Sequence, residues 1–216
     1  DFVWTRTYRS RLGRTGAATN GWTFSYAVSV QPLVGDFVIH DGTGRADTFK
    51  LLTNGTYTCP ELFREGTLSN NVFRLTFADS GYWQFNPLNA AAAPGKLAQI
   101  VDRNGNTVSL NYDGDGRLLE VVDDLDRTNT VAYDPAGRLT SVTDFSGRRV
   151  SYTYVRNDLD RSGAVGDLKS VTLPPVIVTA QKEADDVKAV PASVTAVTAE
   201  TIANAGLRVV TDAAIF

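Results

Sequence analysis

Apolar and polar residues alternate in short runs along most of this chain, and clusters of turn-forming residues separate the runs. Leu118, Glu120 and Val122 alternate with Leu119, Val121 and Asp123, and Val131 and Tyr133 alternate with Thr130 and Ala132. A period of two sends neighbouring side chains to opposite faces, so these runs predict strands rather than helices. Between them lie residues 103–106 (RNGN), 113–116 (DGDG), 134–137 (DPAG) and 145–148 (FSGR). Glycine supplies positive φ, Asp and Asn bond their own backbone, and proline fixes φ, so each cluster predicts a reversal. Consecutive runs joined by such turns predict β-hairpins laid side by side as a meander.

The hairpins repeat. GKLAQIVDRNGN starts at Gly95, GRLLEVVDDLDR at Gly116 and GRLTSVTDFSGR at Gly137, a spacing of 21 residues each time. Asp102, Asp123 and Asp144 hold one slot of the unit, and Tyr112, Tyr133 and Tyr154 another; Leu110, Val131 and Tyr152 also keep register. A looser fourth copy, GDLKSVTLP, starts at Gly166 after eight extra residues. One hairpin cannot bury its apolar face, but stacked hairpins share a continuous one. The repeated glycine is expected to open each turn. The tyrosine supplies a large apolar body with a polar tip that can stay wet.

Residues 1–94 are strand-like without a period. Residues 21–33 alternate, and residues 48–59 place Asn54-Gly55 between apolar runs, a strong hairpin signal. Residues 72–86 predict another hairpin with Phe73, Leu75 and Phe77 on one face, and residues 89–95 (NAAAAPG) predict a connector. Past Pro175 the composition turns to Ala, Val, Thr and acids. There 176–180 and 193–198 predict strands, and 198–206 predicts a short helix capped by Thr198 and ended by Gly206. Three regions follow: 1–94 before the repeats, 95–174 carrying them, and an incomplete 175–216 tail. The fold class expected is mainly β, an open antiparallel sheet with a short mixed α/β tail.

Composition narrows the chemistry. The net charge of −3 argues against a nucleic-acid partner. Arg6, Arg9, Arg11 and Arg14 form a local basic run, expected to be a solvated strand face. One cysteine, Cys59, and one histidine, His40, offer neither an internal disulfide nor a Cys/His metal set. No run approaches the ~18 apolar residues of a membrane-spanning helix. The chain has no methionine and opens directly on a strand-like run, which predicts a piece excised from something longer.

Carboxylate pairs such as Asp113/Asp115 and Asp123/Asp124 fall in turns, where solvation is expected rather than acid–base work. Residues 158–169 begin like a calcium loop at Asp158, Asp160, Ser162 and Gly163, with Val165 at the apolar position. Lys169 stands where a bidentate Glu is needed, so no metal is expected. Two aromatic stripes, Trp22/Phe24/Tyr26 and Tyr82/Trp83/Phe85, are expected mainly as core, with a sugar-stacking platform as the alternative.

The repeat motifs YDGDGRL (112–118), YDPAGRLTSVTD (133–144) and DRNGN (102–106) resemble the YD-repeat, or Rhs (rearrangement hot spot), family. DFVWTRTYRSR (1–11), TNGWTFSY (19–26) and DGTGRADTF (41–49) look like the segment that precedes such repeats. The resemblance spans residues 1–174. It implies a hollow β-shell built from many hairpins, or an adhesive extracellular surface; three or four repeats are too few to close a shell. Residues 175–214 are similar instead to the start of a TonB-dependent outer-membrane receptor: VIVTAQK (176–182) looks like the TonB-box region, and 190–206 like the first strand and helix of the plug.

The function expected is a non-catalytic structural module of a secreted or cell-surface protein, with no cofactor. The alternatives are a glycan- or protein-binding module, and a periplasmic part of a TonB-dependent receptor located at the periplasm or outer membrane. The expected partner-binding residues are Val176, Ile177, Val178, Thr179 and Ala180, an uncharged β-branched run suited to adding a strand to an open sheet edge of its own chain, a neighbouring copy or TonB.

Overall fold

The computed structural model describes residues 2–9, 21–157 and 163–174, all within the compact unit that ends at Pro174. Arg11, Arg14, Asp158, Asp160 and Ser162 lie outside the described residues. So do the partner-binding residues expected at 176–180 and the strand and helix expected beyond them.

Two strands, β1 (Arg6–Tyr8) and β2 (Trp22–Phe24), form an antiparallel pair. The remaining fourteen form one antiparallel sheet in strict chain order. They are β3 (Val28–Leu33), β4 (Asp36–Asp41), β5 (Ala46–Leu51), β6 (Tyr57–Thr58), β7 (Arg64–Ser69), β8 (Val72–Phe77), β9 (Tyr82–Phe85) and β10 (Leu97–Val101). The repeats continue the ladder through β11 (Thr107–Tyr112), β12 (Leu118–Val122), β13 (Thr128–Tyr133), β14 (Leu139–Thr143), β15 (Arg149–Tyr154) and β16 (Leu168–Thr172). The architecture is mainly β, as the alternation requires, and no helix occurs among the described residues. Lys169 is a strand residue of β16.

The first eight strands of this ladder curl until β3 meets the entry to β10. Ser29 bridges Lys96, and the Val30 amide donates to the Gly95 carbonyl at 2.7 Å. Gly95 has φ +64°, and a Cβ there would collide with the Val30 carbonyl oxygen, so only glycine permits the approach. Inside the curl, Val28, Val30, Phe49, Phe73, Leu75, Phe85 and Leu97 are all but fully buried. Phe73 packs against Phe37 and Phe85 at centroid distances of 4.7 and 6.0 Å. Cys59 is buried beside β6, and His40 lies in β4.

The expected hairpins form, though not all through the turns their sequences suggest. At Asn54-Gly55 the Gly55 amide donates to Leu52 and the Leu52 amide to Thr56, which makes a three-residue loop. One two-residue loop is Asn70-Asn71, where both residues take positive φ (50° and 62°) between paired Ser69 and Val72. That pattern matches the mirror-image turns favoured by hairpin twist.

Strict alternation fails within the repeats. Leu118 and Val121 are both buried, although an odd spacing should send them to opposite faces. The register of β11 against β12 jumps from Asn111↔Glu120 to Tyr112↔Leu118, so Leu119 is an extra, bulged residue. The jump recurs between Ala132 and Tyr133 against β14, and between Thr153 and Tyr154 against β16. One inserted residue resets the face, which puts Leu139 and Val142 in the core by the same device.

Candidate functional site

Tyrosine, leucine, arginine and aspartate slots of the repeat converge into rungs that tie each hairpin to the next. Registered pairing of β12 with β13 begins at Glu120 and leaves the Leu118 carbonyl beyond the ladder. The Tyr133 hydroxyl donates to that carbonyl at 2.9 Å. Tyr112 does the same to Leu97 at 2.7 Å and Tyr154 to Leu139 at 2.6 Å, each again beyond the first registered pair. The tyrosine tips thus bond to backbone carbonyls rather than being left to water, in half-buried (Tyr112, Tyr133) or buried (Tyr154) side chains. Burial pushes all three hydroxyls up, that of Tyr154 to about 12.

Cations cover the rings. The Arg117 guanidinium lies 5.6 Å from the Tyr133 centroid and Arg138 lies 5.3 Å from Tyr154, while Lys96 sits 6.0 Å from Tyr112. Burial draws the Lys96 ammonium down, and Asp113 opposes that pull. Stacking of this kind contributes roughly 0.5–2 kcal/mol, depending on desolvation.

The turn aspartates anchor those cations. At Asp113, Asp123, Asp134 and Asp144, one carboxylate oxygen accepts the amides of residues two and four positions on. The other accepts Nε of the arginine four positions on, at 2.6–2.8 Å. Residues three positions on take positive φ: Gly116 (74°), Asp126 (57°), Gly137 (77°) and Gly147 (85°). This is the three-residue hairpin loop with its left-handed final residue. Asp102 builds the same turn, with Asn106 Nδ2 replacing the arginine at 2.7 Å. The side chains of Asp113, Asp123, Asp134 and Asp144 are 14–19% exposed, whereas Asp115 at 75% and Asp124 are exposed, so the expected solvation holds for one carboxylate of each pair, Asp113/Asp115 and Asp123/Asp124, and fails for the other.

Asn129 was not singled out by the sequence. It is 2% exposed, in the slot that Val108 and Val150 fill elsewhere. Its Nδ2 donates to the Val121 carbonyl and its Oδ1 accepts the Phe145 amide, both at 3.2 Å. The only signal was an Asn in an apolar slot of the repeat.

A cleft of about 510 Å³ lies between β3–β4 and the rungs, walled by Ser29, Gln31, His40, Lys96, Tyr112 and Arg117. Its charged groups are engaged: Arg117 holds Asp113 and Asp115 at 2.7 and 2.9 Å. Among the described residues no three His, Cys, Asp or Glu side chains are placed to hold a metal.

The aromatic stripes divide. Phe24 and Phe85 join the core, and Tyr26 stacks on Phe2 at 5.7 Å. Trp83 meets Phe77 edge-on at 5.2 Å, and Arg74 covers Tyr82 at 4.2 Å. Arg6 is not on a solvated face. Its guanidinium lies between the rings of Trp22 and Tyr152, at 5.0 and 4.9 Å.

Residues 133–159 match the RHS Repeat family model, and residues 1–49 match a family described as a domain of unknown function. No curated protein matches the chain. Neither matched stretch reaches residues 175–216.

Proposed function

We propose that residues carrying an RHS repeat between 133 and 159 serve here as part of a non-catalytic structural module of a secreted or cell-surface protein. One observation carries this reading. The distinctive side chains of each unit bond to the same or the adjacent hairpin: Tyr133 reaches Leu118, Arg117 covers Tyr133, and Asp113 holds Arg117. Groups committed to one another in this way supply mechanical continuity from strand to strand rather than acid–base or nucleophilic work.

Native-state hydrogen exchange tests the reading. Amides of β10 to β15 should open together, at a free energy close to that of global unfolding. Hairpins that open one at a time would contradict it. A glycan array separates the binding alternative: saturable glycan binding lost in Tyr82→Ala or Trp83→Ala would favour an adhesive module.

We further propose that Val176, Ile177, Val178, Thr179 and Ala180 add as a strand to an open sheet edge of a partner, which is the self-associating form of the same module. The periplasmic-receptor reading rests on the same segment, and capture by a TonB C-terminal domain would favour it.

A further inference from the structure

The N-terminal segment meets the face of the last repeats at a second cleft, of about 350 Å³. Phe2, Trp4, Arg6, Val142, Val150 and Val171 are among the residues that line it, and Asp144, Arg148 and Tyr152 share its walls. Positions 4 and 6 alternate along an extended segment, so Trp4 and Arg6 present their side chains on one side. Trp4 Nε1 and Arg6 Nη1 are both buried, and among the described residues neither meets a hydrogen-bond partner in good geometry.

An unpartnered, buried N–H on a half-buried guanidinium is costly, and flanking rings compensate the charge only in part. Tyr152 joins the two donors. Burial raises its hydroxyl, while the Arg6 charge and the neighbouring Trp4 indole N–H lower it. The remaining charges cancel, because Arg148 Nε holds Asp144 at 2.6 Å. Arg6 is the unbalanced charge of the cleft.

We propose that this cleft is a binding site for a small amphipathic monocarboxylate. The two carboxylate oxygens accept from Arg6 Nη1 and Trp4 Nε1, and an apolar ring or short chain lies against Phe2, Val142, Val150 and Val171. A single excess positive charge selects a monoanion, since a second negative charge would face Asp144. The volume suits a ligand of small-molecule size. Charge-assisted hydrogen bonds favour the acid strongly over a neutral isostere.

The test is isothermal titration of the full chain with 3-phenylpropionate and with the neutral 3-phenylpropan-1-ol. Saturable binding of the acid is expected, at least about tenfold tighter than that of the alcohol. The indole N–H resonance of Trp4, assigned through Trp4→Phe, should move on titration with the acid. Arg6→Gln should weaken binding about tenfold or more. Because Arg6 also packs between two rings, Val150→Phe provides an independent test: it fills the cleft, leaves the cation in place, and should abolish binding. The proposal is overturned by absence of saturable acid binding, by equal affinity for acid and alcohol, or by undiminished binding in folded Val150→Phe.

Discussion

The Tyr133 hydroxyl donates to the Leu118 carbonyl at 2.9 Å, two residues beyond Glu120, where the registered pairing of β12 with β13 stops. A side chain thus adds a cross-strand hydrogen bond beyond the last registered pair, beside the bulge that Leu119 makes against β11. The bulge and the tyrosine are two halves of one device: the bulge turns Leu118 and Val121 inward together, and the tyrosine satisfies the carbonyl left over.

Tyr133→Phe isolates the hydroxyl, since the ring and its Arg117 contact remain. Leaving the Leu118 carbonyl without its donor should cost about 1–2 kcal/mol, read as a lower urea midpoint at unchanged slope. Tyr8→Phe, at an exposed tyrosine, should leave the midpoint where it is.

Gly116 and Gly147 share a left-handed backbone but not surroundings. A Cβ at Gly147 would meet nothing within 4 Å, whereas one at Gly116 would lie 3.3 Å from Ala93 Cα. Gly147→Ala should therefore cost about 1 kcal/mol for backbone strain alone, and Gly116→Ala more. Asp126 occupies the same turn position with φ 57°, so Asp126→Gly should raise the denaturation midpoint.

Acid should weaken the module through its turn aspartates. Partial burial pushes the Asp144 carboxyl up, but the Ser146 hydroxyl, the Arg148 and Ser146 amides and the Arg148 guanidinium outweigh it and hold the group at about 2, against an ordinary value of 3.8. Asp113, Asp123 and Asp134 shift in the same direction. A depressed folded value means that the stabilisation is full above the ordinary carboxylate range and is lost as pH falls through the folded value. The urea midpoint should fall between about pH 4 and pH 2, and Asp144→Asn should flatten that dependence.

Alkali acts on the tyrosines with the opposite sense. Burial raises Tyr154 from 10.0 to about 12, so its contribution is complete below pH 10 and is lost as pH rises toward 12. Tyrosinate absorbance from Tyr112, Tyr133 and Tyr154 should appear only near unfolding. A single ordinary titration would show that the hydroxyls are wet.

Removing residues 174–216 tests the proposed strand addition by Val176 to Ala180. The shortened chain should lose association, seen by light scattering, or lose stability if the strand pairs within its own chain. If both properties survive, the segment plays no part in assembly.

The sequence by itself determined the class, the hairpin succession and the repeat register, because period-two alternation and turn chemistry are local properties. The spacing of Gly116, Gly137, Asp123 and Asp144 was enough to place every hairpin of residues 95–154. It did not determine which side of a strand is inside once a residue is inserted. Leu118, Leu119 and Val121 read as simple alternation, and only the pairing against Tyr112 shows that Leu119 is extra. Tertiary structure alone decided what the polar slots do. Whether Tyr133 reaches water or the Leu118 carbonyl, whether Asp134 is solvated or holds Arg138, and whether Arg6 lies on a surface or between Trp22 and Tyr152 depend on strands brought alongside across the sheet. Burial and partner geometry are relations between distant residues, and no local pattern encodes them.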